Sequence, residues 1–220
     1  MAEKSSIKIK ERLLAAASDL FAEKGYRDAT IAEICKRATA NISSVSYYFG
    51  SKEAIYRDAW RHSFARTIEA HPPDGGVSAK APPEERLRGQ VRAIMARIAD
   101  ENNRDFIISQ MEMTNPTGLL QEVMDSELTP LRKKTEGLVR ELLGPFALDL
   151  HVHFCEITIV SMCINPMLMK RVKHGIDDSN GFSRAMDDMD AFADHVVKFA
   201  LAGLTAIRTQ AKKDQKNDIR

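Results

Sequence analysis

Residues 30–53, TIAEICKRATANISSVSYYFGSKE, constrain this chain more than any other stretch. They read as two short helices around a tight turn, followed by a further helix that opens at Lys52. The second short helix carries Ser43, Ser44, Ser46, Tyr47 and Tyr48. So short a helix cannot offset its own nucleation cost and persists only if its neighbours hold it. Small polar side chains are poor core formers, so this helix suits presentation to a groove: the helix-turn-helix of a DNA-binding protein. Taken without its flanks, the same serines and tyrosines read as an ordinary solvated face.

The flanks supply the pattern. Residues 7–24 place Leu13, Leu14, Ala17, Leu20 and Phe21 on one face of an amphipathic helix, which Gly25 ends in a left-handed cap. Thr30 and Glu33 form a capping box at the next helix, with Ile31, Ile34 and Cys35 facing inward. Asn41 is a good N-cap for the short helix, and Ser51 caps a helix running from about Lys52 to Ala70 with Ile55, Ala59, Phe64 and Ile68 as its stripe. Residues 1–62 hold 11 Lys and Arg against 8 Asp and Glu, while the remainder holds 21 against 23. A mildly basic first third agrees with DNA contact at that end.

At this point the residues resemble the tetracycline-repressor (TetR) family of bacterial transcriptional regulators. The resemblance covers about residues 8–60, through LFAEKGY, ATIAEICKRA and NISSVSYYFGSKEAIY. The proline-rich connector and the EMTNPT segment further resemble the branch with a CecR-like C-terminal domain. Two positions depart from the family pattern. Thr39 stands where the turn usually has Gly, and a β-branched residue there predicts different dihedrals. Tyr48 stands where His is frequent, which keeps a phosphate donor but removes the pH dependence.

The resemblance implies roles for particular residues. Thr30 opens a helix whose N–H groups suit a phosphate. Lys52 resembles the family's backbone-contacting lysine, and Tyr47 and Tyr48 resemble phosphate or thymine-methyl contacts. Asn41, Ser43, Ser44 and Ser46 lie nearest the base edges. Lys8 and Lys10 reach the minor groove or backbone from an N-terminal arm. With no Arg or Gln on the short helix, readout relies on apolar, water-mediated and shape contacts. Phe49 and Cys35 read as core.

The remainder is helical too. Residues 71–85, with four of the eight prolines, form a connector. Helices follow over 84–100, with Leu87, Val91, Ile94, Met95 and Ile98 inward, over 106–113, and from Asn115-Pro116-Thr117 to Leu143. A long apolar helix spans 147–173 with a kink at Asn165-Pro166. A loop covers 174–181, the last helix spans about 184–209, and the polar tail from 211 frays. The fold class is all-α with about nine helices: a helix-turn-helix domain over 1–54 and a ligand-binding and dimerisation domain over 55–220.

The two long helices, 147–173 and 184–209, carry more apolar surface than one face needs. Two of them from each subunit would build a four-helix bundle, and a homodimer would set two recognition helices about 34–36 Å apart on a roughly palindromic operator. An effector pocket is expected from Phe64, Phe106, Gln110, Met111, Met113, Phe154 and Met162, for an apolar or amphipathic small molecule; such side chains at helical spacing serve a plain core equally well. Gln110, Glu112 and Asn115 are polar groups able to orient a ligand, or surface and cap residues. His151 and Cys155 share a helix face, but His153 points elsewhere, so no metal and no cofactor is expected.

Composition and motifs exclude other classes. Three Cys without CxxC spacing fit a reducing cytoplasm. No run approaches the ~18 apolar residues of a membrane span, and no apolar segment follows the basic N-terminus as in a signal peptide. There is no nucleophile elbow, HExxH or paired Glu-x-x-His, so an enzyme is not expected. The leading reading is a repressor released from its operator by a small molecule. A helical small-molecule-binding protein or adaptor, with an inactive or activating helix-turn-helix, is the alternative.

Overall fold

The computed structural model describes residues 2–172 and 188–218, and its described residues form nine α-helices and no strand. In chain order these are α1 Ala2–Asp28, α2 Ile31–Arg37, α3 Ser43–Tyr48, α4 Lys52–Ala70, α5 Pro83–Ala99, α6 Arg104–Thr114, α7 Gln121–Leu143, α8 Asp149–Val172 and α9 Met189–Asp218. The all-α expectation holds. The loop at 174–181 and the start of the last helix at 184 lie outside the described residues.

The chain forms two compact units, Met1–Ala70 with Glu101–Glu127, and His71–Asp100 with Leu128–Arg220. The sequence division at residue 54 follows the DNA-binding pattern; the compact units instead gather all of α4, and α6, with the first three helices. The reason is packing: α1, α4 and α6 bury their faces against one another. Leu13, Ala17, Leu20 and Phe21 of α1 are fully buried, as are Ile55, Tyr56, Ala59 and Trp60 of α4.

In the other unit, α5 packs on α8 and α9. Leu87, Val91, Met95 and Ile98 are its buried stripe, and Ile94 is half-buried. The connector is drawn tightly onto α5. A Cβ on Gly75 (φ +62) would lie 2.4 Å from the Gly89 carbonyl oxygen, and one on Gly89 would lie 2.4 Å from that of Asp74. Only glycine permits so close a backbone approach.

Several sequence expectations are corrected. The connector ends earlier than 85, because Pro83 serves as a first-turn residue of α5, where its missing N–H costs nothing. Residues 115–120 form a turn, so α7 begins at Gln121. α8 passes through Asn165-Pro166 without a break. The tail from 211 is helical to Asp218, with Ala211 buried and Gln210 donating to Asp214 at 2.7 Å. Finally, Asp149–Met169 of α8 is long and apolar enough, by length and composition, to cross a membrane. One face of that segment is buried through Val152, Ile159 and Cys163, while Phe154 and Ile157 are exposed.

Candidate nucleic-acid interface

The first helix delivers the chain to the site through a break. Gly25 takes φ 77 and ψ 172 inside α1, as the sequence requires of a residue without a Cβ. Tyr26 follows and packs 4.9 Å from the Tyr56 ring, its hydroxyl donating to Glu53 at 2.8 Å. Thr30 then caps α2. Its hydroxyl accepts the Glu33 N–H at 3.2 Å, and Glu33 accepts the Thr30 N–H at 3.0 Å. The capping box read from sequence is present.

That box changes the electrostatics of the α2 N-terminus. Lys24 donates to Glu33 at 2.5 Å, and this bond, with those from Thr30, holds the Glu33 carboxyl down at about 2. A carboxylate thus already lies at this helix end, accepting the Thr30 N–H and hydroxyl. Arg37, in the last turn of α2, is held by both oxygens of Glu23 at 2.6 and 2.8 Å.

α2 ends in a Schellman turn. The Ala40 N–H donates to the Cys35 carbonyl at 2.9 Å and the Thr39 N–H to that of Lys36 at 3.2 Å. Thr39 sits at the position that glycine favours, with φ 50, and is the single non-glycine residue with positive φ among those described. The expectation of different dihedrals at Thr39 is thus corrected: the turn keeps its geometry and the threonine bears the strain. Arg12 of α1 reaches across to donate to the Thr39 carbonyl at 3.4 Å.

Asn41 starts α3. Its side-chain oxygen accepts the Ser43 N–H at 3.0 Å and the Ser43 hydroxyl at 2.8 Å. α3 is fixed to the core by Val45, which is fully buried. Phe49, expected in the core, is only half-buried, with the Lys10 ammonium 5.7 Å from its ring centroid. Lys8 and Lys10 lie within α1 and not on an arm, because the helix begins at Ala2. Cys35 is buried as expected, and burial pushes its thiol up.

The remaining side chains of the short helix face outward. Asn41, Ser43, Ser46 and Tyr47 are exposed and Ser44 is half-buried; Tyr47 is 81% exposed. Tyr48 is half-buried, and its hydroxyl lies 3.0 Å from that of Ser6. Lys52, at the start of α4, sits 4.6 Å from the Tyr26 ring centroid and donates to the Arg27 carbonyl at 3.4 Å. Ser51 caps that helix by accepting the Ala54 N–H at 3.2 Å. Of the eight residues that the sequence selects, Thr30 lies at the α2 cap, Asn41 in the turn, Ser43, Ser44, Ser46, Tyr47 and Tyr48 on α3, and Lys52 at the start of α4.

A polar network that the sequence reading missed supports this platform. The Trp60 indole donates to the Asp105 carbonyl at 3.1 Å and to Ser109 at 2.9 Å. Buried Asp105 accepts from Ser63 and Thr67, each at 3.0 Å. At the far end of α6, Glu112 accepts the Tyr56 hydroxyl at 2.8 Å and the Thr117 hydroxyl at 2.7 Å. Asn115 accepts from Arg27 at 2.5 Å. The polar groups of EMTNPT thus serve as ties to α1 and α4.

The seven pocket candidates divide between the units. Phe64 and Phe106 are buried, with Phe64 stacked 5.1 Å from Trp60; Gln110 and Met111 are half-buried and Met113 is 71% exposed. Phe154 and Met162 instead line an apolar groove between α8 and α9, together with Phe199, Gly203 and Ile207. The cavity there is about 130 Å³, less than a drug-sized ligand needs. His153 lies 3.3 Å from Glu136. Among the described residues no three His, Cys, Asp or Glu converge as a metal site.

Known proteins share these features. Residues 13–59 match the model of bacterial regulatory proteins of the tetR family, and residues 83–204 match that of the C-terminal domain of the HTH-type transcriptional dual regulator CecR. The CecR of Shigella flexneri is 30% identical over 162 residues, which span 66% of this chain and 70% of that protein. Among solved structures, the fatty acid degradation regulator FadR of Bacillus halodurans superposes with a TM-score of 0.66 at 19% identity, covering 89% of this chain and 96% of the other. FadR of Bacillus subtilis, solved with stearoyl-CoA, gives 0.66 at 20% identity, covering 87% and 97%. A TetR-like regulator of Rhodococcus sp. RHA1 gives 0.65 at 18%, covering 90% and 96%. These structural likenesses establish the fold. With its helix-turn-helix formed and more than half of its length matching one family model, the chain belongs to the TetR family of bacterial transcriptional regulators, in the branch with a CecR-type C-terminal domain.

Proposed function

We propose that this regulator binds a roughly palindromic operator duplex as a homodimer and is released from it by a small apolar or amphipathic effector. The observation that carries the reading is α3 itself. It is anchored by one buried side chain, Val45, and leaves Ser43, Ser46 and Tyr47 exposed, the Tyr47 ring touching Tyr48 edge-on at 4.9 Å. Asn41, Ser43, Ser44 and Ser46 read base edges, Tyr47 and Tyr48 contact phosphate or thymine methyls, and Lys52 contacts the backbone. Thr30 contributes chiefly by setting the start of α2, since its donors are used by Glu33. In this reading residues 1–54 hold the DNA function and 55–220 the regulatory and dimerisation functions, and the protein works in the cytoplasm, where its operator lies.

The bare face of α8 and α9 supports the dimer. Phe154, Ile157 and Phe199 are 58%, 55% and 62% exposed, more apolar surface than a lone subunit gains from showing. A second copy laying the same two helices on this face completes a four-helix bundle and takes up the apolar length of α8 without a membrane. It also assigns Phe154 and Met162 to the subunit interface, leaving Phe64, Phe106, Gln110, Met111 and Met113 as pocket candidates. The acyl-CoA bound by the FadR of Bacillus subtilis supports an amphipathic effector. The dual-regulator name of the Shigella flexneri relative supports activation at some promoters beside repression.

The test is selection of duplexes from a random pool by the purified protein at two salt concentrations. An enriched inverted repeat, with affinity falling steeply with salt, is the expected result. No enrichment at either salt refutes DNA reading by α3. An enriched single half-site without its inverted partner refutes the dimer.

A further inference from the structure

The strained turn and the arginine that spans it point to a positioning residue. From the 3.4 Å bond between the Arg12 guanidinium and the Thr39 carbonyl, at the one described non-glycine residue with positive φ, we infer that Arg12 acts on DNA recognition through the α2–α3 turn and not by touching DNA. The inference rests on the reading that α3 contacts DNA.

The Schellman turn fixes the angle between α2 and α3 through only two backbone bonds, Ala40 to Cys35 and Thr39 to Lys36. A glycine at the left-handed position would hold that shape without strain, but a β-branched side chain resists it. The turn is therefore biased toward other dihedrals, and any of them re-aims α3. α3 has few means of its own to resist: it is six residues long, one side chain, Val45, is buried, and the side-chain bond at its start comes from Asn41, which belongs to the turn itself. Arg12 comes from α1, whose flanking Leu13 and Ala16 are buried in the core, so its backbone is a fixed point. A charged donor on the Thr39 carbonyl ties the strained peptide to that fixed point. Arg12 and Thr39 thus act as a pair: the arginine supplies from outside the restraint that a glycine turn has intrinsically.

A phosphate-contacting arginine and a turn-holding arginine make opposite predictions. The experiment measures four full-length proteins, wild type, Arg12→Ala, Thr39→Gly and the double variant, against the duplex enriched by wild type and a scrambled duplex over a range of salt. Arg12→Ala is expected to bind the enriched duplex about five- to tenfold more weakly with an unchanged salt slope. In the Thr39→Gly background the same arginine change is expected to cost less than twofold. Equal losses in both backgrounds, or a salt slope reduced by about one, would overturn the inference in favour of direct phosphate contact.

A second readout is independent of DNA. Amide hydrogen exchange at Ala40 in the free protein is expected to quicken several-fold in Arg12→Ala and to return to the wild-type rate in the double variant. Unchanged exchange in Arg12→Ala overturns the inference. Quickened exchange together with failure of wild type to enrich any duplex leaves the turn restraint standing and refutes DNA reading by α3 instead.

Discussion

Replacing Gly89 with alanine tests whether the connector is docked as closely as described. The new methyl carbon would meet the Asp74 carbonyl oxygen at 2.4 Å and Val77 Cγ2 at 2.7 Å. Ordinary contact begins about 1 Å further out, and the nearer obstacle is backbone, which has no rotamer to escape into. Overpacking of this kind costs about 1–3 kcal/mol, with a backbone obstacle toward the top of that range. Alanine returns about 0.8–1 kcal/mol as the better helix former. The net loss is about 1–2 kcal/mol, or a fall in Tm of about 2–8 °C for a chain of this size. Gly137→Ala is the matched control. It lies within α7, and its added methyl carbon would meet nothing within 4 Å. The helix gain is then unopposed, and Tm should rise by about 2–4 °C. Thermal melts followed by far-UV circular dichroism, at one protein concentration so that association does not shift Tm, decide the matter. A Gly89→Ala protein as stable as wild type, or more so, would refute the close approach of the connector to α5.

Four further outcomes are expected. Tyr47→Ala should weaken binding to the enriched duplex by about tenfold while leaving Tm unchanged, since Tyr47 is 81% exposed; a lowered Tm would assign it a packing role. Lys52→Ala should weaken all duplexes alike and reduce the salt slope by about one, whereas a changed sequence preference would refute its backbone role. Gly203→Ala meets nothing within 4 Å inside one chain, yet it lines the α8–α9 groove, so weaker self-association in sedimentation is expected, and unaltered association would place the dimer contact elsewhere. Acid should loosen the DNA-binding helices through Glu33 and Glu53. The bond from Lys24 leads in lowering Glu33 to about 2, and the bond from Ser51 leads for Glu53, also held at about 2. Both carboxyls are depressed in the fold, so their contribution is complete above the ordinary value of 4.5 and is lost as pH falls toward 2. Glu33→Gln should flatten that part of the pH-stability profile, and an identical profile would refute the assignment.

What the sequence made legible was governed by local rules. Thr30 with Glu33, Ser51 and the stripe of Leu13, Ala17, Leu20 and Phe21 each act within a few residues of chain, and each is found as read. Asn41 bonds the Ser43 N–H, but Ile42 stands at the N-cap that the sequence assigns to Asn41. What the sequence leaves illegible depends on residues distant in the chain. The preference of Thr39 argues against a positive φ, but the turn around it, with Arg12, 27 residues earlier, on its carbonyl, holds that dihedral. Nothing local in Trp60, Ser63 and Thr67 says that Asp105 lies against them. Apolar side chains at helical spacing do not reveal which surface a helix presents, so Phe154 and Met162 read like Phe64. Pro83 suits a helix start, and the helix continues on either side of Pro166.

The absence of any charged side chain from α3, whose sequence is SSVSYY, has a kinetic consequence. Long-range attraction to a polyanion is a property of charge, and on the proposed reading it comes from the flanking helices, through cations such as Lys8, Lys10, Lys36 and Lys52. How fast the protein arrives on any stretch of DNA is then set by those helices and falls with salt. On the same reading, how long it stays on one particular stretch depends more on the short-range hydroxyl and ring contacts of α3, which salt screens less. Arrival and residence are thus written on different helices, and each can change without rewriting the other.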